Sequence, residues 1–236
     1  MGRAHEVRAK SMAATAAKRS ALFMRASKEI YMAAKSGVPD PDSNLALRSA
    51  IEKWKSQQVT KDVIERAIQK AKGGSGEHYD SGRYEFFGPG GSYVIVDTLT
   101  DNPNRAITDV RAAVTKRGGH MGQVSYNFTQ TGLIVFKSDK TKDQLEEALI
   151  LGDIDLKEIS VEEGIAECLV EPTYLAKAKD VLISLGINEF ETLEITMIPN
   201  EYISIDNPEE LAKFKDMLDV LDEVSDVQAV YHNVKL

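Results

Sequence analysis

The chain has 236 residues, of which 42% are hydrophobic, and its formal net charge is −8. This length exceeds one typical domain, and the hydrophobic fraction is sufficient for apolar cores. The single cysteine, Cys168, excludes an internal disulfide framework and favours a reducing compartment. No apolar run approaches the roughly 20 residues that a membrane-spanning helix needs, and the N-terminus lacks the apolar core of a secretory signal. These features predict a cytoplasmic protein that does not associate with membranes. The Arg- and Ala-rich composition of the N-terminus leaves an organellar presequence as the alternative.

Charge is distributed very unevenly along the chain. Residues 1–72, which we call the head, carry 15 Lys and Arg against 7 Asp and Glu, a net charge of +8. Residues 73–236, which we call the body, carry 14 against 30, a net charge of −16. A basic segment joined to an acidic one indicates a polyanionic partner. An ordinary solvated charged surface is the alternative interpretation.

The head is predicted to form three helices. The first has apolar or small residues at spacings of three, four or seven, which is typical of one helical face. Pro, Gly and turn residues separate the first helix from the second, and Thr60 is a suitable N-cap for the third. Trp54 is predicted to lie in the core that these helices share. The predicted segments are helix Met12–Lys35, break Ser36–Asn44, helix Leu45–Ser56 and a helix from Thr60 to Gly73.

Most cations of the first helix share one face. They fall within an arc of roughly 100° that lies nearly opposite the apolar stripe. Glu29 is the only carboxylate of this helix, so the acidic i+4 partners that usually neutralise such a face are sparse. Because Lys and Arg neutralise phosphates and release counterions, we predict that the head contacts nucleic acid. The predicted contact residues are Arg3, Arg8, Lys10, Lys18, Arg19, Arg25, Lys28 and Lys35.

The head contains no convincing helix-turn-helix signature. This absence argues against tight sequence-specific reading of DNA, and it leaves RNA or a ribosomal surface open as the target. Arg105, in the first turn of a predicted body helix, is a weaker candidate, because pairing with Asp101 or Asp109 is an equally good explanation for it.

The body begins after a polar, glycine-rich linker at Gly73–Gly82. Strand, helix and two further strands follow in the pattern β-α-β-β, which lacks one helix and one strand of a ferredoxin-like sandwich. A later helix at about Pro208–Leu221 and a final strand at Val227–Val234 can supply them. The predicted elements before the insertion are strand Ser92–Leu99, a helix from Asn102 to Gly118, strand Val124–Phe128 and strand Gly132–Lys137.

We therefore predict an α+β protein in which the last of two ferredoxin-like domains is inserted into the middle one. A serial order of two α/β domains is the competing topology, and the pattern alone does not separate the two. The predicted domains are residues 1–75, all-helical and basic; residues 80–137 with 200–236, a discontinuous α+β domain; and residues 138–199, the inserted domain.

No pattern in the chain indicates catalysis, a metal or a cofactor. The four histidines fall in different predicted elements, and HExxH and CxxC motifs are absent. Cys168 alternates with apolar residues in a predicted strand and is best explained as a small core residue. Three glycine-rich loops lack the spacing of Walker or Rossmann phosphate sites, so turn geometry explains them better. We expect no small-molecule substrate, and a monomer, with a dimer left open.

Five segments of the chain form long, specific motifs. They are KEIYMAAKSGVPDPDSNLALRSAIEKW (Lys28–Trp54), KDVIERAIQKAKGG (Lys61–Gly74), RYEFFGPGGSYVIVDTLTDNPNR (Arg83–Arg105), GGHMG (Gly118–Gly122) and DVQAVYHNV (Asp226–Val234). Together these segments resemble the YebC/PmpR family, in the same order as in that family. The N-terminal Trp common in the family is missing here, and the loop after Gly122 is shorter.

The resemblance implies a helical N-terminal domain, two α/β domains and a transcriptional regulator that binds DNA. Mitochondrial members are translational activators and bacterial members are linked to relief of stalled ribosomes, so the implied alternative is a translation factor that binds ribosomal RNA.

Overall fold

A computed structural model describes residues 16–74 and 76–236, and over these ranges the chain is an α+β protein. The head contributes three helices, and the body contributes two four-stranded sheets, each with helices packed against it. This arrangement confirms the predicted fold class. None of the described helices is both long and apolar enough to cross a membrane.

The helices of the head are α1 (Ala16–Lys35), α2 (Leu45–Ser56) and α3 (Lys61–Lys72). Asn44 fixes the turn between the first two. Its side-chain oxygen accepts from the backbone N–H of Leu47, which caps α2, and its amide donates to the carbonyls of Ala33 and Val38. One side chain therefore ties the end of α1 to the start of α2.

Trp54 lies at the centre of the head core and is 1% exposed, as predicted. It shares this core with fully buried side chains of α1 and α2, among them Ile30, Tyr31 and Leu47. The indole N–H donates to Glu29 Oε2 at 3.1 Å, so the polar edge of the buried ring has a partner. The only carboxylate of α1 is thus occupied within the head, where it also pairs with Lys53.

The body alternates strands and helices after the linker. In chain order its elements are β1 (Asp80–Phe87), β2 (Tyr93–Thr100), α4 (Pro103–Thr115), β3 (His120–Met121), β4 (Phe128–Lys137), α5 (Lys142–Leu151), β5 (Leu156–Glu162), β6 (Ile165–Val170), α6 (Leu175–Ser184), β7 (Thr192–Pro199), α7 (Pro208–Glu223) and β8 (Val227–His232).

The first sheet has the strand order β3-β1-β2-β8, and its paired strands are antiparallel. Helices α4 and α7 cover one face. Val110 of α4 and Phe214 and Met217 of α7 pack against Val94 and Val96 of β2, and all five are fully buried. Strand β8 lies far along the chain yet pairs with β2, so the chain leaves this sheet and returns to complete it. This is the insertion topology and not the serial order.

The second sheet has the order β5-β6-β4-β7, which is the order of a ferredoxin-like sandwich formed by a β-α-β-β-α-β segment. Its central strand β4 is buried on both faces. Ile134 and Phe136 belong to the core that α5 and α6 cover, whereas Leu133 and Val135 form a second cluster with Leu169.

The partners of β4 correct the predicted boundary after Lys137. This strand was assigned to the first sheet, but it pairs with β6 in the second, and residues 130–198 form one compact unit. The described residues of 16–129 and 199–236 form the other. Alternation shows which faces of a strand are apolar but not which strand lies beside it, so the pattern could not place β4.

Two other elements differ from the sequence prediction. Asp80–Phe87 is a strand, whereas its first three residues were predicted to belong to the linker and the remainder was assigned no element. Its glycine and its charged, partly exposed side chains hide the strand pattern. The predicted strand Val124–Phe128 is mostly a short 3₁₀ turn, Ser125–Asn127, and the edge strand of the first sheet is instead the two-residue β3.

Cys168 is fully buried in β6, and burial, with a smaller contribution from Glu167, raises the pKa of its thiol to about 12. Because the thiolate is the reactive form, we expect the native protein to resist an aromatic disulfide reagent at pH 8. In denaturant one thiol per chain should react within minutes. Native reaction at the rate of a free thiol would contradict this burial.

Candidate nucleic-acid interface

The eight predicted contact residues fall into four groups. Arg3, Arg8 and Lys10 lie outside the described residues. Arg19 and Lys35 are exposed, whereas Arg25 and Lys28 are each only 8% exposed. Lys18 is intermediate in exposure. Nucleic-acid contact by all eight residues stays a prediction, and the structure defines the surroundings of the five that it describes.

Lys28 is held in a buried ionic cluster. Its ammonium nitrogen lies 2.5 Å from Asp226 Oδ1 and donates to the carbonyls of Leu99 and Ser225, each at 3.1 Å. The guanidinium of Arg105 donates to the other oxygen of Asp226 at 2.8 Å and also to Asp101 at 2.7 Å. Arg105 therefore pairs with acidic residues. Of the two acids predicted as partners it pairs with Asp101 and not with Asp109, and it also pairs with Asp226.

Asp226 is the centre of this cluster, and its side chain is only 2% exposed. Burial pushes the pKa of this carboxyl upward, but the hydrogen bonds from Lys28 and Arg105 outweigh burial and hold the pKa below its ordinary value. The carboxylate is therefore ionised at neutral pH. It is the carboxylate partner of Lys28, whereas Arg105 shares its charge between Asp226 and Asp101.

Arg25 binds the C-terminal end of α7. Its Nη2 donates to the carbonyls of Leu221 at 3.3 Å and Asp222 at 2.8 Å, and Nη1 lies 3.8 Å from Asp222 Oδ1. The last carbonyls of a helix lack intrahelical partners and carry its negative dipole end, so a guanidinium is a favourable cap there. Burial lowers the pKa of Arg25, and the charge of Asp222 opposes that shift.

Lys18, in the first turn of α1, completes the series. Its ammonium nitrogen lies 2.5 Å from Asp219 Oδ1 and 4.0 Å from Asp222 Oδ2. Asp219 is 66% exposed, so solvent reaches this pair more easily than it reaches Lys28 and Asp226.

These contacts show that the basic arc of α1 is not an open face. Helical periodicity correctly groups its cations, but it does not identify what lies across from them. The sequence signal that could have suggested the partner is a series of acidic residues at spacings of three and four near the end of α7. That series is Asp216, Asp219, Asp222 and Asp226.

Eight other cations of the described part of the head are exposed. Lys61, Arg66 and Lys70 pair with carboxylates, and we call the remaining five the exposed head cations. Among the described residues none of them has a carboxylate within ion-pair distance; Lys35 lies over the ring of Tyr31, and Arg48 donates only to backbone carbonyls. They come from all three helices and include two predicted contact residues. The exposed head cations are Arg19, Lys35, Arg48, Lys55 and Lys72.

The glycine-rich loop between β1 and β2 is a turn and not an open anion cradle. Gly90 has φ +66, and a Cβ at this position would lie 2.7 Å from the side chain of Ile205. Its backbone N–H, the group that a phosphate would need, donates to Glu210 Oε2 at 3.1 Å. In residues 16–74 and 76–236, no three His, Cys, Asp or Glu side chains are grouped in a way that could hold a metal ion.

Comparison with known proteins gives matches along nearly the whole chain. The N-terminal domain of the TACO1/YebC protein family matches residues 3–74, and the second and third domains match residues 79–234. These matches confirm the resemblance inferred from the five sequence segments.

Similar relatives include two bacterial proteins named probable transcriptional regulatory protein. The one from Mesoplasma florum is 47% identical over 238 residues and covers 100% of both chains. The one from Acholeplasma laidlawii is 46% identical over 237 residues, which are 99% of this chain and 98% of the relative. The crystal structure of a conserved hypothetical protein, Aq1575 from Aquifex aeolicus, is 34% identical with a TM-score of 0.77, and the match covers 93% of this chain and 91% of that one.

Proposed function

Because this chain belongs to the TACO1/YebC family, we propose that it is a non-enzymatic regulator that acts by binding nucleic acid, and that its target is DNA in transcription. The names of its bacterial relatives support the regulatory role. The exposed head cations are the observation that supports nucleic acid as the partner.

The distribution of charge directs a polyanion to the head. Exposed Lys and Arg side chains without carboxylate partners can neutralise phosphates and release condensed counterions. The body carries 30 acidic residues against 14 basic ones and therefore repels the same phosphates. Binding through such cations is tolerant of sequence and strongly dependent on salt.

Three neutralising substitutions in the head test this proposal. We expect Arg19→Gln/Lys55→Gln/Lys72→Gln to weaken binding to a 30-base-pair DNA duplex. The plot of log Kobs against log salt concentration should become less steep, its negative slope shrinking in magnitude by roughly 2 to 3. The slope falls because each lost phosphate contact removes about 0.9 from it on duplex DNA. Fluorescence anisotropy over a series of salt concentrations measures both quantities.

The matched control removes three exposed lysines from the body, in the variant Lys137→Gln/Lys142→Gln/Lys215→Gln. Its change in net charge is the same, so a general charge effect would weaken binding equally in both variants. The proposal predicts that the control keeps the wild-type salt slope. If the two variants lost DNA affinity equally, or if the wild type did not bind DNA, the proposal that the head is the interface would be contradicted.

Sedimentation through a sucrose gradient separates the DNA proposal from the ribosomal alternative. A regulator that acts on DNA should stay at the top of the gradient when a cell extract is fractionated. Salt-sensitive migration with the ribosomal subunits, lost in the head variant and kept in the body variant, would reassign the same interface to ribosomal RNA.

A further inference from the structure

We propose that the segment 219–226, the acidic clamp, is an internal competitor of nucleic acid for the basic arc of α1. Asp219, Asp222 and Asp226 of this segment hold cations that a bound phosphate backbone would otherwise contact. The inference rests on the proposed function, and it adds that Lys18 and Arg25 become available only when α1 separates from the end of α7.

The two charge series match each other in order. Lys18, Arg25 and Lys28 lie at i, i+7 and i+10 along α1, and they meet Asp219, Asp222 and Asp226 in the same order. The other hydrogen bonds of Arg25 and Lys28 also go to oxygen atoms, the carbonyls at and just beyond the end of α7 and the carbonyl of Leu99. Lys28 lies in addition over the ring of Tyr79. The clamp thus presents to α1 what a nucleic-acid backbone presents, a row of negatively charged oxygens.

The contact between α1 and the clamp is ionic. The apolar core of the head and that of the first sheet are separate clusters, and the recorded bonds from α1 to residues 219–226 are ion pairs and hydrogen bonds from cations to carbonyls. Ionic contacts can be exchanged for other ionic contacts of similar strength, whereas separating an apolar interface would expose its surface to water.

Exposure along the clamp is graded. Asp219 is 66% exposed and Asp222 is 44% exposed, whereas Asp226 is 2% exposed. Salt and phosphate therefore reach the Lys18 end first, and the cluster around Asp226 is the last contact to yield.

Weakening the exposed end of the clamp should strengthen nucleic-acid binding. In Asp219→Asn/Asp222→Asn the two acids are removed while the Asp226 cluster, and with it the fold, is kept. We expect tighter binding to the 30-base-pair duplex and a salt slope steeper by about 2, since Lys18 and Arg25 add two phosphate contacts. The control, Glu201→Gln/Asp206→Asn, removes two exposed acids of the same compact unit outside the clamp and should keep the wild-type slope.

A distance measurement tests the separation directly. Spin labels on Ser20→Cys and Glu223→Cys report the distance between the start of α1 and the end of α7. Labelling is selective for these two positions because native Cys168 is buried. Saturating duplex should lengthen this distance. If the wild type binds but Asp219→Asn/Asp222→Asn keeps its salt slope and the distance does not change, the inference is overturned and the proposed function stands. If neither protein binds any duplex, the proposed function fails, and this inference fails with it.

Discussion

Replacing Asp226 by alanine is expected to lower the free energy of unfolding by about 3 to 5 kcal/mol, because it leaves a buried cation without its counter-charge. Lys28 has a side chain only 9% exposed and would keep two backbone carbonyls but no carboxylate. Arg105, at 46% exposure, can turn to solvent or to Asp101 and should add little to the loss. Urea denaturation followed by circular dichroism measures the difference.

The control for this prediction is Asp216→Ala in α7. Asp216 is 61% exposed and pairs with Arg117, so its loss should cost no more than about 1 kcal/mol. Equal costs for the two variants would mean that the Asp226 cluster behaves as an ordinary surface ion pair. A cost near zero for Asp226→Ala would show that Lys28 reaches water when its partner is removed.

Replacing Trp54 by alanine is expected to cost about 3 to 5 kcal/mol, the usual range for deleting a buried large aromatic side chain. The largest loss should be in the head, because Trp54 belongs to the core cluster that α1, α2 and α3 form. A helical domain with a core of this size is only marginally stable. Hydrogen exchange read by mass spectrometry should show lost protection in α1–α3 and retained protection in both sheets.

The conservative variant separates packing from hydrogen bonding. Trp54→Phe keeps most of the apolar ring and loses the N–H that donates to Glu29, so it should cost less than Trp54→Ala and leave the head folded. If Trp54→Ala instead lowers protection equally in the head and in both sheets, the head does not unfold independently of the body.

Much of the fold follows from local patterns in the chain. The bounds of α2 agree with the prediction because Asn44 caps its first turn, and Trp54 was placed inside because it shares a helical face with apolar neighbours. The alternation of Gly132–Lys137 also predicts the strand β4. It does not predict the sheet to which β4 belongs, because the hydrogen-bond partners of a strand lie far from it in sequence.

The helical head, the charge contrast between head and body, the α+β class and the family of this protein can all be inferred from the amino-acid sequence. These depend on residue type, spacing and order, which are all local or additive properties. The partners of the basic arc of α1, in contrast, depend on how the helices pack in three dimensions. Arg25 and Lys28 meet carboxylates and carbonyls nearly 200 residues further along the chain, and helical periodicity carries no information about a partner at that separation. For the same reason, the exposed head cations could be distinguished from the clamped ones only after the helices were assembled.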